Sequence, residues 1–140
     1  MIAYLDASVL LRFVLGQSGQ LREWPSLRRE VASVLVEVEC FRTLDRLRVA
    51  GGQSDRELTI RRERLIEIFS EIEWIDLDRP ILHRAANPFP TALGTLDSIH
   101  LATALLWREM TGKQLVMATH DASLALASRA SGLPVIGAER

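Results

Sequence analysis

The sequence contains a single cysteine, Cys40. That excludes an intrachain disulfide and any zinc site built from several thiolates. Histidine is scarce as well. His83, His100 and His120 are far apart and form no metal-ligand spacing. No apolar run approaches the ~20 residues that a membrane-spanning helix needs. The N-terminal stretch lacks a basic start and a small-residue cleavage site, and Asp6 interrupts it, so a secretory leader is not expected. The expected location is the cytoplasm. A surplus of one charge is also absent. The net charge is −1, which does not advertise a nucleic-acid partner. Lysine is nearly missing: Lys113 stands alone beside sixteen arginines. That bias fits a GC-rich coding sequence, and it also fits guanidinium forks aimed at phosphate or carboxylate.

The chain has 140 residues, 48% of them hydrophobic and 25% charged. Such a chain can bury the core of one domain and is not disordered. Its most informative stretch is Tyr4-Leu5-Asp6-Ala7-Ser8. Residues 2–5 read as a short buried strand that ends at Asp6, where a helix begins and runs to about Leu15. A second such phrase lies near the other end. Leu115 to Ala118 is apolar, and His120-Asp121-Ala122-Ser123 follows.

Between them, Leu21 to Glu30 is polar and reads as a helix with Pro25 in its first turn. Val31 to Val34 reads as a β-branched strand. Leu35 to Val49 has helical spacing through Val38, Phe41, Leu44 and Val49. Ser54 and Glu57 form a capping box that opens a helix to about Ser70, with Leu58, Leu65, Ile66 and Phe69 facing inward. Strand character returns at Ile72 to Leu77. Pro80 opens a short helix to about Ala86. Leu96 to about Glu109 is an almost wholly apolar helix, hence one buried on most sides. Ala122 to Ala130 is a helix, and Val135-Ile136 a last short strand. Strands alternating with helices predict an α/β fold with three layers, α/β/α, and a short central parallel sheet of four to five strands.

Ligands of a parallel sheet bind beyond the carboxyl ends of its strands. Asp6 and Asp121 fall there. Either can also be a helix N-cap, and a cap leaves one oxygen free. Asp97 sits in the first turn of the apolar helix, with Thr95 or Leu96 to cap it. His100 shares the face of Asp97 and reads as a packed core histidine bonded to a backbone carbonyl in preference to a metal ligand. Glu37 and Glu39 point to opposite sides of their helix, so at most one faces the sheet edge. Arg42 stands one turn beyond Glu39, at the spacing of a surface ion pair. Crowded carboxylates repel one another unless a cation joins them. An all-oxygen donor set suits Mg²⁺ or Mn²⁺, and such a site suits phosphate esters.

Four blocks resemble the PIN-domain ribonucleases, in particular the VapC toxins of type II toxin–antitoxin pairs. They are Tyr4-Leu5-Asp6-Ala7-Ser8; Val38-Glu39-Cys40-Phe41-Arg42; Leu93 through Ala104, with Asp97-Ser98-Ile99-His100; and Thr119-His120-Asp121 through Val135. The resemblance implies that Asp6, Glu39, Asp97 and Asp121 are a catalytic acidic quartet. Asp6, Asp97 and Asp121 would hold the metal, and Ser8 would support the site. It implies RNA cleavage by a metal-activated water, a VapB-type antitoxin that blocks the site, and a homodimer. Arg42, Arg46, Arg61 and Arg62 are candidates for the RNA path, or else solvated helix faces. Leu11, Val14, Trp24 and Leu27 are candidates for the antitoxin contact, with Leu11 and Val14 otherwise ordinary core. Two other readings stay open: a phosphoacceptor receiver domain, which needs a lysine at a strand end, and an inactive fold that only binds a partner.

Overall fold

Ile2–Leu5 forms strand β1, and in the computed structural model, which describes residues 1–139, this strand is the centre of the sheet. The other strands are β2 (Arg29–Ser33), β3 (Glu73–Ile75), β4 (Val116–Ala118) and β5 (Val135–Ile136). All four pairings are parallel, in the order β3-β2-β1-β4-β5. The helices are α1 (Ala7–Val14), α2 (Leu35–Ala50), α3 (Asp55–Phe69), α4 (Arg79–Ala85), α5 (Thr95–Thr111) and α6 (Ala122–Ala130).

Alternation along the strands makes the three layers. Ala3, Leu5, Ala32 and Ala118 pack on one face against Val9, Leu10 and Val14 of α1, Val36 and Cys40 of α2, and Leu65 of α3. Tyr4, Val31 and Met117 point the other way, into Leu101, Ala104 and Leu105 of α5 and Leu124 of α6. Helix α4 lies along α5. The three-layer α/β/α fold with a five-stranded parallel sheet is the one the sequence predicts.

The chain runs outward from β1 to β2 and β3, then crosses back to β4 on the other side of β1. Neighbouring connections therefore leave β1 and β4 in opposite directions. A crevice opens at such a switch point, at the carboxyl ends of the two strands. Asp6 follows β1, and Thr119 to Asp121 follow β4.

Several local expectations are corrected. Leu21 to Glu30 is not a helix. Trp24–Ser26 makes one 3-10 turn around Pro25, and β2 already begins at Arg29. The reason is pairing: the Arg28 amide bonds to the Met1 carbonyl, and Arg29 and Glu30 lie in register with Ile2 and Ala3. Arg29 is accommodated by two 2.7 Å bonds to Glu73 on the next strand. In α2 the buried positions are Val36, Cys40 and Leu44, four apart, while Val38 and Val49 face solvent. Ile66 of α3 is likewise exposed, although Leu58, Leu65 and Phe69 are buried. Half of the capping box forms. The Ser54 hydroxyl accepts the Glu57 amide, but the Glu57 carboxylate accepts the Ser54 hydroxyl hydrogen and not its backbone N–H. No helix among the described residues is long and apolar enough to cross a membrane.

Candidate functional site

Asp6 lies at the head of α1 in extended conformation and is nearly buried, yet its side chain caps nothing. Oδ2 accepts the Ser8 hydroxyl at 2.7 Å and the Thr119 hydroxyl at 2.8 Å. The capping role expected for Asp6 is thus replaced by a hydroxyl pair that turns the carboxylate away from the helix. Its other oxygen, Oδ1, has no hydrogen bond among the described residues and lies 3.9 Å from His100 Nε2. Ser8 and Thr119 each also serve the chain after β4. Ser8 Oγ accepts the His120 amide at 2.9 Å, and Thr119 Oγ1 accepts the Asp121 amide at 3.0 Å. The two strand ends are thereby tied together around one carboxylate.

Asp121 does cap its helix, with Oδ1 accepting the Leu124 amide at 2.8 Å. Its second oxygen has no such partner among the described residues. Asp97 follows Gly94, which takes the N-cap position of α5; neither Thr95 nor Leu96 caps the helix. The Asp97 carboxyl is half-buried and makes no hydrogen bond among the described residues.

Glu39 reaches the edge from the second turn of α2. Its Oε1 lies 2.5 Å from His100 Nε2. His100 is fully buried, and its Nδ1 is 2.6 Å from the Tyr4 hydroxyl, which accepts the Ser33 amide at 3.3 Å. The histidine is therefore a core residue, but it bonds a tyrosine and a carboxylate instead of a backbone carbonyl. Glu39 does not pair with Arg42, which takes Asp45 at 3.2 Å. Glu37 is not bonded to His100.

These acids act on one another's charge. Asp97 is pushed up to about 6, first by burial and then by Asp121, Asp6 and Glu39, with His100 opposing. Burial pulls the His100 ring down, but the Glu39 hydrogen bond and the charges of Glu39, Asp6 and Asp97 outweigh it and raise it. Burial holds the Tyr4 hydroxyl well above its usual range, so it stays protonated. Burial also raises the Cys40 thiol, with Glu39 and Asp6 adding to the effect, so this cysteine is unreactive at neutral pH.

Donor chemistry decides what could sit here. The oxygens left over belong to Asp6, Asp97, Asp121 and Glu39, and this hard, anionic set fits Mg²⁺ or Mn²⁺. Among the described residues no three acidic, histidine or cysteine side chains converge at ligating distance on one point.

The candidate arginines are engaged within the fold. Arg46 bonds Thr43, Arg61 bonds Gln53 and the Val14 carbonyl, and Arg62 lies 4.1 Å over the Phe41 ring. Of the apolar residues considered as an antitoxin contact, Val14 is core, and Trp24 stacks on Phe13 at 5.2 Å. Thr119 went unsuspected in the sequence. Its one signal is a hydroxyl two residues before Asp121, mirroring Ser8 two residues after Asp6.

A model of the PIN domain matches residues 3–135. The chain belongs to the PIN domain family. Ribonuclease VapC46 of Mycobacterium tuberculosis is 29% identical over 136 residues, covering 95% of each chain. Three solved structures share the fold at low identity. VapBC2 from Rickettsia felis, bound to a DNA fragment from their promoter, has a TM-score of 0.66 at 13% identity, covering 96% of this chain and 97% of that one. PAE2754 from Pyrobaculum aerophilum gives 0.64 at 17%, covering 96% and 83%. A toxin–antitoxin complex from Klebsiella pneumoniae gives 0.62 at 18%, covering 99% and 96%.

Proposed function

We propose that this chain is a Mg²⁺- or Mn²⁺-dependent endoribonuclease and the toxin of a type II toxin–antitoxin pair. One observation carries the reading: Asp97 stands half-buried in the field of Asp6, Glu39 and Asp121 with no bonded cation from the protein, so the site favours a divalent ion. Membership of the PIN domain family and the 29% identity to a VapC ribonuclease support the same activity.

In this reading Asp6 Oδ1, Asp97 and the uncapped oxygen of Asp121 would hold the ion, and Glu39 would complete its shell or orient a water. Ser8 and Thr119 keep Asp6 turned toward the crevice. A bound Mg²⁺ or Mn²⁺ supplies an activated water and offsets the charge gathering on the phosphodiester. A VapB-type antitoxin covers the site, and two copies pair as a homodimer; the antitoxin is supported by the resemblance of the fold to toxin–antitoxin complexes.

A phosphoacceptor reading loses its lysine. Lys113 lines a cleft with Met1 and Arg28 at the amino ends of the strands, the edge opposite Asp6. The deciding experiment is RNA cleavage by the purified chain with Mg²⁺ or Mn²⁺, with EDTA, and with Asp6→Asn. Cleavage should need the ion and vanish in Asp6→Asn. Cutting at the wild-type rate in EDTA or by Asp6→Asn contradicts the assignment, and folded wild-type protein that cuts no RNA favours the inactive, partner-binding reading.

A further inference from the structure

Three of the four acids have visible restraints or short side chains. Asp6 is held by two hydroxyls, Asp121 by the Leu124 amide, and Asp97 has only two side-chain torsions. Glu39 has three torsions and comes from a different layer, at the second turn of α2. Left to itself, a glutamate so placed samples many rotamers, and fixing it has an entropic cost. The structure meets that cost with buried polar groups.

His100 and Tyr4 are both fully buried. Their bonds form a string: Ser33 N–H to Tyr4 Oη at 3.3 Å, Tyr4 Oη to His100 Nδ1 at 2.6 Å, and His100 Nε2 to Glu39 Oε1 at 2.5 Å. Packing alone does not require this. Phenylalanine and leucine would fill similar volume without polar atoms that demand partners at depth. The neighbours also decide where the hydrogens lie. A carboxylate only accepts, so Nε2 carries the hydrogen shared with Glu39. In the neutral ring, Nδ1 accepts from the Tyr4 hydroxyl. In the charged ring, Nδ1–H turns to the Tyr4 oxygen. The bond to Glu39 persists in both states, so the restraint does not depend on the ring's charge. The same ring edge lies 3.9 Å from Asp6 Oδ1, between the acids of α2 and β1.

We infer that Tyr4 and His100 are a positioning pair: they tie one oxygen of Glu39 inward, so that the other faces the divalent ion or its water. His100 acts through Glu39 and Tyr4 acts through His100. This rests on the proposed metal-dependent activity.

The test is Mn²⁺ binding to metal-stripped protein by calorimetry, beside metal-free melting temperature, for wild type, Asp97→Asn, His100→Leu, His100→Gln and Tyr4→Phe. A glutamine amide nitrogen falls near the place of Nε2 and keeps a donor to Glu39. His100→Leu should weaken Mn²⁺ binding by about 10–100-fold, the range for losing a residue that orients a ligand. His100→Gln should recover most of that loss, and Tyr4→Phe should show a smaller one. Equal Mn²⁺ affinity in the glutamine and leucine variants, or wild-type affinity in both, overturns the positioning role. Should His100→Leu fail to fold, Tyr4→Phe decides: weakened Mn²⁺ binding by protein that still melts cooperatively above the assay temperature supports the pair, and unchanged binding overturns it. If wild type takes up no Mn²⁺, or Asp97→Asn binds as well as wild type, the divalent-ion site itself is wrong and the pair's role falls with it.

Discussion

Thr119 gives its hydroxyl hydrogen to Asp6 across 113 residues of sequence, and its oxygen accepts the amide of Asp121. One buried hydroxyl thus ties the Asp6 carboxylate to the backbone of Asp121. Thr119→Val keeps the shape and removes both bonds. Leaving a buried donor or acceptor unpaired costs about 1–3 kcal/mol. Urea unfolding should show a loss in that range, and RNA cleavage should drop, while Thr119→Ser stays near wild type in both. Equal behaviour of the valine and serine variants would show that the hydroxyl orients nothing.

Asp97 makes a pH prediction whose sign is opposite to ordinary acid denaturation. Its folded-state value is about 6, above the ordinary ~3.9 of an unfolded aspartate. Above pH 6 the carboxylate is ionised in both states and destabilises the metal-free fold in full. As pH falls from about 6 towards ~4, the folded state takes up the proton first, and that penalty is relieved. Asp97→Asn should therefore melt higher than metal-free wild type at pH 7.5, and the gap should close towards pH 4. Divalent ions should raise the wild-type melting temperature strongly above pH 6 and weakly below it. A gap that stays constant with pH contradicts the assignment of burial and neighbouring acids as its cause.

Gly137 stands in a tight bend against the chain that follows β4. It has φ +93, and a β-carbon there would lie 2.7 Å from the Thr119 carbonyl and 3.3 Å from His120 Nδ1. Gly51 has φ +82 and open space around it. Both lose the left-handed conformation that glycine allows, at about 1 kcal/mol for alanine. Gly137→Ala should cost clearly more than Gly51→Ala in chemical unfolding, and only Gly137→Ala should reduce cleavage, because the clash bears on Thr119. Equal losses in the two variants would remove the close contact as an explanation.

Leu65 and Ile66 separate packing from composition. Leu65 is fully buried and Ile66 is 52% exposed. Leu65→Ala should lower stability by about 2–5 kcal/mol through lost burial and a cavity. Ile66→Ala should stay within about 0.5 kcal/mol. Thermal or urea unfolding of the two single variants distinguishes them.

These contrasts mark what the sequence made legible. An apolar run ending at Asp6, and another ending before Asp121, mark strand ends because burial and alternation are local signals. The layering follows from the same alternation. Arg29 and Glu30 misled because two charges in a polar stretch look helical, while their strand pairing is made with residues 27 positions earlier. Ile66 and Val38 are apolar, but which side of α2 and α3 meets the sheet depends on how the hairpin docks. The link from Tyr4 through His100 to Glu39 was invisible for the same reason. It joins residues 96 and 61 apart, and a histidine among apolar neighbours does not disclose its partner.

The pairing of β1 with β4 has a consequence for synthesis. Residues 2–5 emerge from the ribosome well before their neighbours at 116–118. A growing chain that has not yet released β4 cannot bring Thr119 and Asp121 to Asp6. The nascent polypeptide is therefore without its assembled acidic edge until more than a hundred residues after Asp6 have been made.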